Sequence, residues 1–314
     1  MSNFLEKLAS NIFNSDGYKK STNLLFSAYV KHNIGADYNV EHKEVRELLT
    51  AAQIFYKSND EITRREGTIV LAMLLDVSAK KFPAIIPIAN SLFSTSGDFP
   101  NISLLQKRYP EVNFRYSLYH TAQIEFHKEI NTVKDLNFIL TDFQGSLWND
   151  LISGDDVITV APTSAGKTHI ILSYLINELM NSSGAFAAIL VPTRALIAEV
   201  SGKIHQLAKE KNIDNEVEIC TIPRDGSFKD KTFFVMTQER LHEVLQRGDI
   251  YFNYLFIDEA HNITDKSRGV LLHLTIEKII EDSVPQIIIS MPSSNYQNSF
   301  STIFKDVEFK KRNN

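Results

Sequence analysis

Residues Ala161-Pro162-Thr163-Ser164-Ala165-Gly166-Lys167-Thr168 join a glycine-containing turn directly to a lysine and a threonine. Val157, Ile158 and Val160 precede the turn, and Ile170, Ile171, Tyr174 and Leu175 follow it at helical spacing. Strand, loop, Lys-Thr, helix is the arrangement of a phosphate-binding loop. Backbone N–H groups and the positive end of the following helix face the phosphates. Thr163, Ser164, Ala165, Gly166, Lys167 and Thr168 therefore form the predicted nucleotide cradle. Lys167 supplies a point charge to the β and γ phosphates, and the Thr168 hydroxyl is a Mg²⁺ ligand. The first position holds Ala161, a small residue where glycine is usual.

A second set of residues suits hydrolysis. Tyr254-Leu-Phe-Ile257 reads as a buried strand, with Asp258-Glu259-Ala260-His261 at its C-terminal end. Ligands of open α/β sheets bind at that edge. Asp258 can share the Mg²⁺ with Thr168. Glu259 can orient and deprotonate a water for attack on the γ-phosphate. Lys167, Asp258 and Glu259 are thus the expected catalytic group. A lone acidic pair at a strand end is ordinarily a helix cap. Both motifs together, in this order and context, point to a nucleoside triphosphate with Mg²⁺.

The elements that must position these groups can be read from the same pattern. From residue 142 onward, candidate strands at 156–161, 186–191, 217–221, 232–236, 253–257 and 285–290 alternate with helices. Such alternation predicts a parallel sheet with helices on both faces. Thr193, Thr221, Thr237, Glu259 and Ser290 all fall at strand ends, which gathers them on one edge. The first third is different. Val45, Leu48, Leu49 and Ala52 repeat at helical spacing, as do Val70, Met73, Leu74 and Val77. Asn59-Asp60 can cap the second of these helices. Pro83 and Pro87 break the pattern, and Ser94–Pro100 reads as a loop. Five or six short helices up to residue 125, and one more beyond, make an all-α accessory domain over residues 1–137. Residues 138–314 form the α/β domain.

Five stretches carry a resemblance. Gln144 lies 17 residues before Ala161. Ala161–Thr168 is the loop. Val191-Pro192-Thr193-Arg194-Ala195-Leu196, Met236-Thr237-Gln238-Glu239-Arg240-Leu241 and Asp265-Lys-Ser-Arg268-Gly269 follow in order. Over about residues 138–310 the chain resembles the first RecA-like motor domain of a superfamily 2 helicase, in its DEAH-bearing, superkiller-type branch. The resemblance implies that Gln144 reads adenine. It places Pro192, Thr193, Arg194, Thr237 and Arg268 along a nucleic-acid strand, DNA or RNA, and gives His261 and Ser290 a part in coupling ATP to that strand. Phosphate contacts need hydroxyl and N–H donors more than base readout. Blander roles exist for each. Gln144, Thr193 and Thr237 can simply cap helices, and Arg268 can be a solvated charge. His261 lacks the partner spacing of a zinc ligand.

The chain departs from that family at two points. Ser290-Met-Pro292 stands where Ser-Ala-Thr is usual, and Pro292 offers neither the hydroxyl nor the backbone donor of threonine. Ser293 or Ser294 can take its place. Residues 296–314 read as a helix at Phe300–Phe304 and a basic tail of Lys310, Lys311 and Arg312, with no second motor domain. The resemblance implies that arginines from such a domain complete the ATP site. The expectation is therefore a weakly active part of a longer ATP-dependent helicase, or a subunit completed by another chain. A helical domain before such a motor is also similar in architecture to bacterial antiviral defence helicases of the Hachiman type. The alternatives are a nucleotide-gated interaction module, with a protein partner on residues 1–137, and a DEAH translocase subunit of a restriction-type complex. The Asp265–Gly269 signature favours the helicase.

Composition sets outer limits. The 314 residues are 43% hydrophobic and 23% charged, an ordinary globular balance. One cysteine excludes an internal disulfide framework. No run reaches the ~20 apolar residues of a membrane span, and no secretory signal is visible, so a cytoplasmic protein is expected. A net charge of −5 argues against coating nucleic acid, yet a motor needs only a locally basic groove.

Overall fold

The computed structural model describes residues 2–58, 60–114, 116–134, 136, 138–162, 165–248, 250–261, 269–292, 304 and 307–313. The chain divides into two compact units, Met1–Ile130 and Asn131–Asn314.

The first unit is helical. Its elements are α1 (Ser2–Asn14), α2 (Asp16–Asn33), α3 (His42–Phe55), α4 (Glu61–Val77), α5 (Ile85–Thr95), α6 (Phe99–Arg108) and α7 (Leu118–Asn131), the last ending one residue into the second unit. Short polar side chains start several of them. Asp60 accepts from the Thr63 amide at 2.8 Å, satisfying a donor that the first turn of α4 cannot pair internally. Val45, Leu48, Leu49 and Ala52 of α3 are all buried, as are Val70, Leu74 and Val77 of α4; Met73 is half-buried. Phe55 anchors this core, its ring edge-on to Tyr18 at 5.1 Å. Two details correct the sequence reading. Pro87 does not break a helix: it is the third residue of α5, where its missing N–H has no intrahelical partner to lose. The expected loop at Ser94–Pro100 shrinks to residues 96–98, because α6 begins at Phe99 with Pro100 in its first turn.

The second unit is a sheet covered on both faces. It comprises α8 (Asp142–Ile152), β1 (Val157–Val160), α9 (Lys167–Asn181), β2 (Ala185–Leu190), α10 (Arg194–Glu210), β3 (Val217–Cys220), β4 (Lys231–Met236), α11 (Gln238–Arg247), β5 (Tyr254–Ile257), α12 (Gly269–Asp282), β6 (Gln286–Met291) and β7 (Lys310–Asn313). The strand order is β3-β4-β2-β5-β6-β1-β7, and every pairing is parallel. Successive residues of each strand face opposite sides. Ala187, Ile189, Phe233, Val235, Phe256 and Ile288 pack with α8, α9 and α10. Ala188, Leu190, Phe234, Met236, Leu255 and Ile289 pack with α11 and α12. A RecA-like parallel sheet with helices on both faces is the observed architecture.

The six expected strands are all present, each within a residue or so of its predicted bounds. The seventh corrects the sequence reading. Lys310, Lys311 and Arg312 are not a tail but an edge strand, registered on β1 with Val157 opposite Lys310 and Thr159 opposite Arg312. Arg312 grips the buried Asp150 carboxylate of α8 with two nitrogens, and Lys310 reaches Asp155 at 2.5 Å.

Candidate ATP site and strand-end edge

Parallel strands leave all their C-terminal ends on one edge, and β6 lies between β5 and β1 in the sheet. That order brings three motifs together. The loop after β1, the Asp-Glu pair after β5 and the serine of β6 occupy neighbouring strand ends.

The loop turns into α9 at Gly166, the N-cap residue, whose φ of 75° is left-handed. A side chain there would be strained, and a Cβ would also stand 2.8 Å from Gln144 Nε2. Lys167 is 2% exposed. Its ammonium donates to the Ala161 carbonyl and, at 3.0 Å, to that of Pro162. These two carbonyls went unnoticed in the sequence because backbone acceptors have no residue signature. Burial lowers the Lys167 pKa, while Glu259 and Asp258 pull it back up. Burial beside two carboxylates suits a lysine that is to meet phosphate.

Thr168 Oγ1 donates to Asp258 Oδ2 at 3.1 Å. Asp258 is 5% exposed, and its Oδ1 also accepts from Ser290 Oγ at 2.5 Å and from the Glu259 amide at 3.0 Å. The Glu259 amide is in turn 3.4 Å from Ser290 Oγ. Ser290 is fully buried, second from the end of β6. Glu259 itself has a φ of 50°, a left-handed conformation uncommon outside glycine, asparagine and aspartate. Such strain concentrates at functional sites. Burial first, and the Asp258 charge second, raise the Glu259 pKa; His261 and Lys167 oppose the shift. His261 Nδ1 stands 3.2 Å from Glu259 Oε2. A half-buried carboxylate with a raised pKa matches a general base better than a solvated one does.

Gln144 does two things at once. Its Oε1 accepts from the Thr141 amide at 3.1 Å, completing a capping box on α8, and its Nε2 donates to the Ala165 carbonyl at 3.1 Å. The capping role and the approach to the phosphate loop are compatible, since they use opposite ends of one amide. Nearby, the partly exposed Phe138 ring lies 5.2 Å from His169, the residue after Thr168. No motif pointed to this pair; its aromatic character six residues before Gln144 was the available signal.

The described strand-contact candidates lie at the ends of β2 and β4 but differ in state. Thr193 and Arg194 are exposed, and Pro192 is half-buried. Thr193 caps α10, accepting from the Leu196 amide at 3.3 Å. Thr237 stands at the N-cap of α11 without a side-chain cap bond. Its neighbour Arg240 holds the Thr221 carbonyl at 2.8 Å, tying two strand ends together. Thr163, Ser164, Arg268, Ser293, Ser294 and most of Phe300–Phe304 lie outside the described residues. Among the described residues no group of three or more His, Cys, Asp or Glu side chains could hold a metal. The donors that remain, one hydroxyl and one carboxylate, suit a Mg²⁺ that keeps several waters and takes its other ligands from phosphate. Ala165, Gly166, Lys167, Thr168, Asp258 and Gln144 therefore fit a Mg-nucleotide. No helix among the described residues is long and apolar enough to cross a membrane.

A parallel sheet whose strand ends join a Lys-Thr loop to an Asp-Glu pair defines a P-loop domain of RecA type. Sequence comparison narrows the class: the family described as DEAD/DEAH box helicase matches residues 141–296, and this part of the chain is similar to the helicase domains of that family. An ATP-dependent RNA helicase of Candida glabrata, DBP3, is 30% identical over 136 residues, 40% of this chain and 25% of its own length. DEAD-box ATP-dependent RNA helicase 57 of Oryza sativa subsp. japonica is 29% identical over 169 residues, 50% of this chain and 30% of its own. Among solved structures, a DEAD box protein from the hyperthermophile Methanococcus jannaschii is 24% identical with a TM-score of 0.43, covering 55% of this chain and 50% of that one. The DUF1998 helicase MrfA bound to DNA is 16% identical with a TM-score of 0.46, covering 58% and 28%. The chain spans a quarter to a third of the length of these curated relatives.

Proposed function

We propose that the second unit binds Mg-ATP at the loop, hydrolyses it with Glu259, and uses the cycle to move along or separate a nucleic-acid strand held on the adjoining strand-end edge. The observation that carries this reading is the convergence of Thr168, Asp258 and Ser290 on shared hydrogen bonds. It ties the phosphate loop, the hydrolytic pair and the β6 serine into one network. Mg²⁺, when bound, neutralises the phosphate charge that builds up during transfer. Lys167 holds the phosphates, Thr168 and Asp258 hold the metal, and Glu259 takes the proton of the attacking water. Gln144 can offer its amide to the base from the position where it touches Ala165. Ser290 donates to Asp258, and His261 stands 3.2 Å from Glu259, which suits a coupling role for both.

Strand contact is assigned to Pro192, Thr193, Arg194, Thr237 and Arg268. The Thr237 hydroxyl is not spent on capping, and the Arg194 side chain is exposed. The wording of the loop and of Asp265–Gly269 supports placement in the superkiller-type branch. Phosphate contacts carry no base code, so binding should be nearly independent of sequence. The test is anisotropy of labelled single strands of several sequences at several salt concentrations. Arg194→Ala should weaken all of them alike and reduce the salt slope by about 1. Loss confined to one sequence, or no loss at all, contradicts the assigned track.

A further inference from the structure

The helical unit contains a cavity of about 200 Å³ where residues 38–40 meet residues 77–82. Tyr38, Asn39, Ser78, Lys80, Lys81 and Phe82 supply its wall, and no carboxylate lines it. None of these residues belongs to the ATP site or to the strand-end edge.

Its polar groups are arranged as donors. Lys81 Nζ donates to Asn39 Oδ1 at 2.9 Å and to the Val40 carbonyl at 3.2 Å, which fixes the ammonium and leaves a third proton for another acceptor. The same bond occupies the Asn39 oxygen and leaves its amide N–H groups unspent. Among the described residues, neither Lys80 nor Lys81 is paired with a carboxylate. The Ser78 residue is 1% exposed, and its hydroxyl has no hydrogen-bond partner.

The blander account is that both lysines merely complement the negative C-terminal end of α4. The carbonyls there are already served. Tyr38 donates to Val77 O and Tyr109 to Leu75 O, each at 3.1 Å. Two ammonium groups in addition give an excess of positive charge in a chain whose net charge is −5. Two lining aromatics stand edge-on to imidazoles, Tyr38 to His32 at 5.4 Å and Phe82 to His42 at 5.5 Å. The volume is below the ~300–1,000 Å³ of pockets that enclose a whole small molecule, and far above the ~30 Å³ share of one water.

We propose that this cavity binds a phosphate group, carried by a nucleic-acid strand or by a free nucleotide. Lys80, Lys81 and Asn39 make the contacts. The site would give the helical unit its own hold on phosphate, independent of the ATP site.

Hydrogen exchange of the full chain, read by peptide, locates binding. The Lys167→Ala variant serves as background, so that phosphate at the loop does not interfere. Inorganic phosphate, AMP and a single-stranded oligonucleotide are each added at matched ionic strength. Saturable protection of peptides spanning residues 36–42 and 75–84 is expected, and its loss in Lys80→Ala and in Lys81→Ala. Lys80 is exposed, so its variant separates lost binding from lost folding. Protection by the strand at concentrations where AMP and phosphate give none identifies a strand phosphate; protection by AMP or phosphate alone identifies the free anion. No protection in these peptides, equal protection by chloride, or protection that survives Lys80→Ala would overturn the proposal.

Discussion

Thr168 and Asp258 are 90 residues apart in sequence, yet Thr168 Oγ1 lies 3.1 Å from Asp258 Oδ2. The sheet explains this. β1 and β5 are separated only by β6, and parallel pairing sets the C-terminal ends of all three side by side. Ser290, on the strand between, completes the contact by donating to the other oxygen of the same carboxylate.

Glu259 is the base in this account, so Glu259→Gln should keep nucleotide affinity and lower turnover by about 10²–10⁴-fold. Titration and steady-state hydrolysis on the protein in its active form separate the two. Stability should respond with a definite sign. Burial and Asp258 raise the Glu259 pKa, so the folded chain holds this proton more tightly than the unfolded chain. The resulting stabilisation is full below the ordinary carboxylate pKa and disappears as pH rises through the raised one. Relative to wild type, Glu259→Gln should therefore gain more Tm at about pH 8 than at about pH 4. The reverse order would mean that the carboxylate is stabilised where it sits.

Ser290→Ala removes one donor to Asp258 and one acceptor facing the Glu259 amide. A loss of about 1 kcal/mol in urea unfolding is expected, the net worth of a buried hydrogen bond. Mg-nucleotide affinity should change little, because Thr168 and Lys167 remain. A variant as stable as wild type would show that the bond contributes nothing.

Gly166→Ala meets both a left-handed φ of 75° and the Gln144 amide at 2.8 Å from the new Cβ. The conformation alone costs roughly 1–2 kcal/mol. Reduced Tm and weakened nucleotide binding should appear together. Gln144→Ala in the same chain should restore part of the stability by vacating the clash; no restoration would place the cost in the backbone alone.

Arg312→Ala strips the main partner from a nearly buried carboxylate, leaving Lys310 at 3.9 Å from Asp150. The cost should fall below the ~3–5 kcal/mol of breaking a fully buried pair, since Arg312 is partly exposed. Asp150→Asn should be milder, because it removes the charge that needed pairing. Hydrogen exchange at residues 157–160 should quicken in Arg312→Ala, reporting loss of the β7 edge. Unchanged exchange there would disconnect the ion pair from the strand.

Much of this architecture was legible because buried parallel strands read as apolar runs, and because the loop and the Asp-Glu pair have fixed spacing relative to strand ends. β7 escaped notice for the opposite reason. Lys310-Lys311-Arg312-Asn313 has no hydrophobic pattern: it is an edge strand held by pairing to β1 and by ion pairs to α8, with no apolar face of its own. Pro87 misled because proline breaks helix interiors but not first turns. The positive φ of Glu259 and the Lys167 contacts to Ala161 and Pro162 are backbone properties, which residue type does not report. For Gln144, capping and adenine reading stood as alternatives; the geometry shows the cap and adds a contact to the Ala165 carbonyl of the loop.

The central claim is that Lys167, Thr168 and Asp258 form one Mg-nucleotide site. Calorimetric titration of the folded chain with Mg-ATP and Mg-ADP tests it most directly. Saturable one-to-one binding that largely vanishes in Lys167→Ala, with folding intact, is the expected result. A folded wild-type chain that binds neither nucleotide, or a Lys167→Ala variant that binds as well as wild type, would contradict it.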